Sequence, residues 1–263
     1  MYNFHFLFQF YLKNKMKVLI SPTKTMSISY SNKCKTSKPI FLDDANRINM
    51  ALSKWSENDI RLKMKLSAKL TSSTLTNISR WGLKNEYRGP AIFSYQGTAF
   101  KHMDTSLWSE QDVTFSQNSI LILSAYYGLL RPLDQIAPYR LEMGITHQVI
   151  EDYKTMYEFW RKKITEHVNK LEGKIILNLA SKEYSHVVLT DQLHKKWINC
   201  DFYEIKNGIP KIVGNYAKAA RGLMVKYIVR NKINDIQDLM HFSEDNYRLD
   251  LENSSDLNLK FIR

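Results

Sequence analysis

Two unbroken apolar runs, Ile120-Leu121-Ile122-Leu123 and Ile175-Ile176-Leu177, have the pattern of strands covered on both faces. Shorter apolar runs extend the predicted strands to 17–20, 91–95, 119–124, 174–179, 200–205 and 209–213. Between them, apolar positions recur with helical period and predict helices over 43–55, 58–66, 71–81, 151–170, 182–190 and 215–231. In 151–170 the residues Tyr153, Met156, Tyr157, Trp160, Ile164 and Val168 form one such stripe, with charges between them. Strands alternating with amphipathic helices predict an α/β (mixed α+β) fold: one compact domain over 16–250 with a mixed sheet. The stretch 43–85 reads as a mostly helical subregion. From Ser243 the chain turns acidic and polar, and 251–263 is expected to be a loosely packed polar tail. Residues 1–15 are aromatic-rich and carry no acid. They read as a non-structural extension ahead of a natural first residue at Met16, or else as an extra amphipathic arm.

Composition narrows the class. The chain has 263 residues, 44% of them hydrophobic and 12% aromatic, which is enough for a sizeable core and argues against disorder. Two cysteines, Cys34 and Cys200, are too few for a disulfide framework or a four-thiolate zinc site. The apolar run from Phe4 to Leu12 is far shorter than the ~20 residues of a spanning helix. A cytoplasmic protein is the expectation, with no cofactor and no metal.

Charge changes the picture more. Lys and Arg number 38 against 26 Asp and Glu, a formal net charge of +12. The excess lies in three acid-free blocks. Residues 1–42 hold seven Lys, 60–85 hold Arg61, Lys63, Lys65, Lys69, Arg80 and Lys84, and 205–234 hold seven Lys and Arg. In 215–231, Tyr216, Ala220, Leu223, Met224, Tyr227 and Ile228 share a face, and Lys218, Arg221 and Lys226 fall mainly opposite. Such a face suits a phosphate backbone, because each cation releases a counterion on binding. An ordinary solvated face is the alternative, though solvated helices usually mix signs. In the second block, the predicted helices 58–66 and 71–81 flank Ser67-Ala68-Lys69-Leu70. That arrangement resembles a helix-hairpin-helix, whose backbone N–H groups bind phosphate without reading sequence. The usual glycine is missing, and a helical hairpin of pure packing is the alternative.

Candidate chemistry collects where polar segments follow strands, as sites do in open α/β sheets. The segments are Ser21-Pro22-Thr23-Lys24-Thr25, Ser124-Ala125-Tyr126-Tyr127, Gly128-Leu129-Leu130-Arg131-Pro132-Leu133-Asp134, Pro138-Tyr139-Arg140-Leu141-Glu142-Met143-Gly144, Asn178-Leu179-Ala180-Ser181-Lys182-Glu183-Tyr184 and Tyr216-Ala217-Lys218-Ala219-Ala220-Arg221-Gly222. Lys24, Arg131, Arg140, Lys182, Lys218 and Arg221 supply cations; Tyr126, Tyr139 and Tyr184 supply rings and hydroxyls. Cations with aromatics suit a nucleic-acid groove. Glu142, Glu183 and Lys182 would suit acid–base work on a base or sugar. Structural ion pairs, Arg131 with Asp134 and Arg140 with Glu142, are the plainer reading of the acids. No P-loop, G-x-G-x-x-G, G-x-S-x-G or H-E-x-x-H is present. His102, His147 and His186 are isolated, and Cys34 beside Lys33 and Lys35 reads as an inert exposed thiol.

These segments, in this order, closely resemble the peroxide stress protein YaaA family, from Met16 to about Asp250. The resemblance implies a bacterial cytoplasmic protein that limits damage from hydrogen peroxide and unincorporated iron. It also implies a compact mixed α/β fold with a positively charged cleft and a helix-hairpin-helix, able to bind DNA. One departure stands out. Where the family commonly carries Lys-Gly-Asp, this chain has Gln96-Gly97-Thr98. The first functional reading is a sequence-tolerant binder of duplex or branched DNA using Lys24, Lys63, Lys65, Lys69, Arg131, Arg140, Lys182, Tyr184, Lys218 and Arg221. The alternatives are an enzyme acting on nucleic acid or nucleotides through Glu142, Glu183 and Lys182, and a regulator of iron handling acting through a protein partner.

Overall fold

The apolar runs form the centre of a sheet in a computed structural model that describes residues 15–28, 35–83 and 86–263. Ten strands are described: β1 (Met16–Ile20), β2 (Gly89–Pro90), β3 (Ile120–Ser124), β4 (Gly128–Leu130), β5 (Gln135–Ile136), β6 (Ile175–Asn178), β7 (Lys196–Lys206), β8 (Ile209–Lys211), β9 (Arg248–Leu249) and β10 (Asn258–Ile262). The main sheet has the order β4-β3-β1-β6-β7-β10-β9, with β8 beside β7. Its middle pairs are parallel: β1 with β3, β1 with β6, β6 with β7 and β7 with β10. Antiparallel β4, β8 and β9 lie at its margins. Val18, Ile120, Ile122 and Leu177 are wholly buried, as strands covered on both faces require.

Nine helices are described: α1 (Leu42–Leu52), α2 (Glu57–Lys63), α3 (Ala68–Arg80), α4 (Ala91–Ser94), α5 (Thr98–Met103), α6 (Glu110–Ser119), α7 (Met156–Lys170), α8 (Lys182–Ser185) and α9 (Gly214–Arg230). Several starts are written locally. Ser56 with Asp59 and Ser109 with Asp112 form capping boxes, and the Thr155 hydroxyl accepts from the Glu158 N–H. Residues 42–80 hold three helices, as the periodicity predicts.

Three predictions fail. The strand expected at 91–95 is the single helical turn α4. The strand pairing is taken by Gly89–Pro90 with β5, and the Ala91 and Ile92 N–H groups go to the Asp134 and Pro132 carbonyls. The tail is not loose. Its Asn258–Ile262 segment is a sheet strand, and Phe261 is buried against Phe202, Phe242 and, across Phe202, Tyr247. Arg263 binds Glu204 at 2.9 Å. Burial of an alternating apolar set outweighs the polarity of the preceding 243–256. Third, 182–190 yields only the four residues of α8. The expected extension at 1–15 lies outside the described residues, apart from Lys15, which pairs with Glu172 at 3.3 Å. No helix among the described residues is long and apolar enough to cross a membrane.

Candidate functional site

Chain order positions the site. β1 connects onward to β3 on one side, and its other neighbour, β6, connects onward to β7 on the opposite side. Loops leaving β1 and β6 therefore diverge, and a crevice opens at their carboxyl ends. A cavity of 450 Å³ occupies it. The loop after β1 contributes Ser21, Thr23 and Lys24; the loop after β6 and α8 contribute Leu179, Ser181, Glu183 and Tyr184. Gln96, Thr98, Phe100 and Lys101 close one wall, and Lys218 and Arg221 of α9 close another. Ser21 ties the two loops: its hydroxyl accepts the Ser181 N–H at 2.8 Å and lies 3.2 Å from the Ser181 hydroxyl.

Two close approaches set this geometry. A Cβ on Gly97 would stand 2.3 Å from the Thr23 hydroxyl oxygen, so only glycine lets the two walls meet. A Cβ on Gly222 would stand 2.1 Å from the Ala99 carbonyl oxygen. That contact lays α9 directly on α5. The buried face of α9 runs through Ala217, Ala220, Met224, Val225 and Ile228, one residue round from the predicted stripe, and Tyr216 is exposed. Lys218 and Arg221 flank this face and reach the cavity.

A second cavity, of 290 Å³, adjoins the first and shares Lys24 with it. Lys63, Met64, Lys65 and Leu66 line one side; Arg140 to Glu142 and Gly144 to Thr146 line the other. The helical connection here has the predicted four residues but lies three positions earlier, at 64–67, because α3 begins at Ala68 with the Ser67 hydroxyl accepting the Leu70 N–H. The missing glycine is replaced by Lys65, which takes the left-handed conformation at φ 54°. The Leu66 N–H bonds the Arg61 carbonyl and the Lys65 N–H bonds the Leu62 carbonyl, the Schellman pattern that closes a helix. A lysine held there costs about 1 kcal/mol more than glycine would.

Of the six cations on the strand-end segments, Lys24, Lys218 and Arg221 line the first cavity and Arg140 the second; Arg131 and Lys182 line neither. Arg131 is a loop staple. Its guanidinium donates to Asp134 at 2.9 and 3.2 Å and to the Lys38 carbonyl at 3.0 Å, while the wholly buried Asp134 also accepts from the Ser37 hydroxyl. Lys182 is exposed outside both linings, so Glu142, Glu183 and Lys182 are not gathered as a catalytic trio. Lys69 is exposed on α3, also outside them. The expected Arg140–Glu142 pair does not form. Glu142 binds Lys24 at 2.6 Å, and the Arg140 Nε is buried with no hydrogen-bond partner among the described residues. Lys63 is engaged by Asp59 at 2.8 Å and lies over the Trp55 ring. Its hydrogen bond, with those from Ser56, holds the Asp59 carboxyl down at about 2.

Arg221 shares with Arg140 a buried Nε that is unpartnered among the described residues, and it forms no ion pair there. Burial lowers its pKa, opposed by the field of Asp201. Glu183 is held by the Gly144 N–H at 3.3 Å, and its carbonyl accepts from Tyr157 at 2.7 Å. Lys101 went unnoticed in the sequence because α5 is too short to show a period; its nearest signal was the glycine at 97.

The tyrosines do not offer free faces. Tyr126 and Tyr139 are buried in a cluster with Trp81, Tyr95 and Tyr127, and Tyr184 shows the cavity only a margin. The Tyr139 hydroxyl lies 2.7 Å from that of Tyr95 and 2.8 Å from the Ser124 hydroxyl. Burial pushes Tyr139 up to about 12, and Tyr95, Tyr126, Tyr127 and Tyr184 upward too. They stay neutral at physiological pH and act as hydrogen-bonding core. His102, through Nδ1, meets the Thr98 carbonyl at 2.8 Å, and His102, His147 and His186 line neither cavity. Cys200 is buried, which raises its thiol pKa, and Cys34 lies outside the described residues. Among the described residues no three His, Cys, Asp or Glu side chains converge as a metal site.

Comparison with known proteins agrees with this frame. The sequence profile described as "Peroxide stress protein YaaA" matches residues 16–253. A UPF0246 protein of Francisella philomiragia is 35% identical over 256 residues, covering 94% of this chain and 100% of the relative. One from Legionella pneumophila (strain Lens) is 37% identical over 256 residues, covering 94% and 99%. One from Marinomonas sp. is 35% identical over 253 residues, covering 94% and 97%. With the strand-end segments and the profile covering nearly the whole domain together, the chain belongs to the peroxide stress protein YaaA family.

Proposed function

We propose that this protein binds DNA with little sequence preference, as part of a peroxide stress response that limits damage linked to unincorporated iron. The observation that carries the reading is the charge along the two adjoining cavities. Lys24, Lys63, Lys65, Lys101, Arg140, Lys218 and Arg221 line them, against Glu142 and Glu183 alone. Two of these cations already have acids, Lys24 with Glu142 and Lys63 with Asp59. Lys65, Lys101, Arg140, Lys218 and Arg221 have no ion pair among the described residues. A run of unneutralised cations on a concave surface raises local potential and draws in a polyanion. The α2–α3 connection supports the same reading as a helix-hairpin-helix, because its Lys65 lines the smaller cavity together with Arg140.

The test is duplex affinity measured against salt. Five cations at about −0.9 per phosphate give a log–log slope of about −4.5. Lys65→Gln with Arg140→Gln should flatten the slope by about two and weaken unrelated duplexes alike. A flat parent slope, or an unchanged slope in a folded double variant, would overturn the reading.

A further inference from the structure

The crevice between β1 and β6 carries more chemistry than a polyanion backbone uses. Its 450 Å³ volume falls within the range of small-ligand sites, and it opens where such sites form in parallel sheets. The lining is divided by chemistry. Lys101, Lys218 and Arg221 line the part of the crevice made by α5 and α9. The carboxylate of Glu183, the Gln96 amide and the Ser21 and Ser181 hydroxyls make a neutral-to-acidic part, and Ile20, Phe100 and Leu179 add apolar surface.

Within this crevice Arg221 is the cation left unsatisfied, as Arg140 is in the adjoining cavity. The Arg221 Nε is buried and unsatisfied, and the side chain has no ion pair among the described residues. The undescribed segments contain no Asp or Glu that could supply one. Arg221 is half-buried with its Nε enclosed; a guanidinium so placed is normally paired, and its planar fork matches a phosphate bidentately. α9 holds it rigidly, since Gly222, the next residue, is packed on the Ala99 carbonyl. An anion entering the crevice satisfies it. Glu183 accepts through Oε1 from the Gly144 N–H and the Gln96 amide donates to the Phe93 carbonyl, so a bare anion would leave Glu183 Oε2 and Gln96 Oε1 unused.

We propose that this crevice is a mononucleotide site. A nucleoside 5′-monophosphate places its phosphate on Arg221, with Lys101 and Lys218 beside it, and its sugar and base edge on Glu183 and Gln96. The nucleotide is either free or one unit turned out of a strand, since both present the same groups. The inference uses α5 and α9 and does not rest on duplex binding.

The experiment is calorimetric titration of the full chain with dAMP, deoxyadenosine and inorganic phosphate. A second arm uses a hairpin duplex with one unpaired adenosine against its fully paired form. For a free nucleotide, dAMP binds at least about tenfold more tightly than either deoxyadenosine or phosphate, the worth of one charge-assisted hydrogen bond. Arg221→Met removes that preference and leaves deoxyadenosine unchanged. Lys218→Gln, at an exposed position, reduces it several-fold and serves if the Arg221 variant fails to fold. For a strand-borne nucleotide, the unpaired adenosine adds affinity that both variants abolish. Equal binding of dAMP and deoxyadenosine, or of dAMP and phosphate, overturns the proposal. So does silence in both arms. Failure of the duplex reading shows separately, as lack of affinity for the paired hairpin.

Discussion

Gly222→Ala tests the geometry on which both readings depend. The new Cβ would lie 2.1 Å from the Ala99 carbonyl oxygen, 2.9 Å from its carbon and 2.9 Å from the His102 Cβ. The nearest obstacles are backbone, so no rotamer change relieves them. α9 must move off α5 by about 1 Å to restore a van der Waals contact. Overpacking of this kind costs about 1–3 kcal/mol, and the rigid carbonyl argues for the upper half. Replacing glycine by alanine inside a helix returns about 1 kcal/mol. The net loss is about 1–2 kcal/mol, a fall in Tm of about 2–8 °C for a domain of this size. Gly214→Ala is the control. It lies at the start of the same helix with nothing within 4 Å of its Cβ, so it should leave Tm unchanged or raise it. Calorimetric melting of both variants reads the difference. Moving α9 also carries Lys218 and Arg221 away from Lys101, so Gly222→Ala should weaken DNA binding at temperatures where it is folded. A Gly222→Ala protein that melts with or above the parent would refute the packing argument.

Three further outcomes follow from named contacts. Arg131→Met leaves the fully buried Asp134 carboxylate with the Ser37 hydroxyl and the residue-131 N–H but no counter-charge and should cost about 3–5 kcal/mol in denaturant unfolding, with DNA affinity of the folded fraction unchanged; a selective loss of DNA binding would return Arg131 to the interface. Phe261→Ala opens the Phe202–Phe242 cluster and should cost about 3–5 kcal/mol, whereas a loosely packed tail would give almost nothing. Alkaline unfolding reads the tyrosine cluster. Tyr95, Tyr126, Tyr127, Tyr139 and Tyr184 have folded pKa values raised above 10, so their contribution is complete below pH 10. It is lost as pH rises from there, at about 1.4 kcal/mol per pH unit for each ring. The tyrosinate absorbance of these five buried rings should appear together with loss of the fold, and their ionisation in a folded protein would contradict the burial.

Much of this arrangement was legible in the sequence, because unbroken apolar runs have few alternatives. β1, β3 and β6 are such runs, and the crevice at their ends follows from strand order. Lys24, Lys218 and Arg221 were readable as cations of one region because they sit on segments leaving a strand or on a helix with a clear apolar stripe. What could not be read was partner choice. Arg131, Arg140 and Glu142 are similar in local sequence, yet Arg131 staples Asp134, Glu142 crosses to Lys24, and Arg140 is left over. Ion pairing between loops depends on tertiary distances that spacing does not carry. α5 was missed because one and a half turns give no period. β10 was missed because acidic residues before it masked a clean alternation in Leu257-Asn258-Leu259-Lys260-Phe261. The glycine sought in the helical hairpin was the wrong criterion. Lys65 adopts the conformation glycine would have supplied.

Lysine footprinting with and without duplex DNA tests the interface most directly. The protein is acetylated at low salt, and each lysine is followed by mass spectrometry. DNA should protect Lys24, Lys65, Lys101 and Lys218, which line the two cavities. Lys162, 82% exposed on α7, and the exposed Lys170 should react equally in both conditions. Uniform protection of all lysines, or protection centred on Lys162 and Lys170 with Lys65 and Lys218 still reactive, would contradict the assignment.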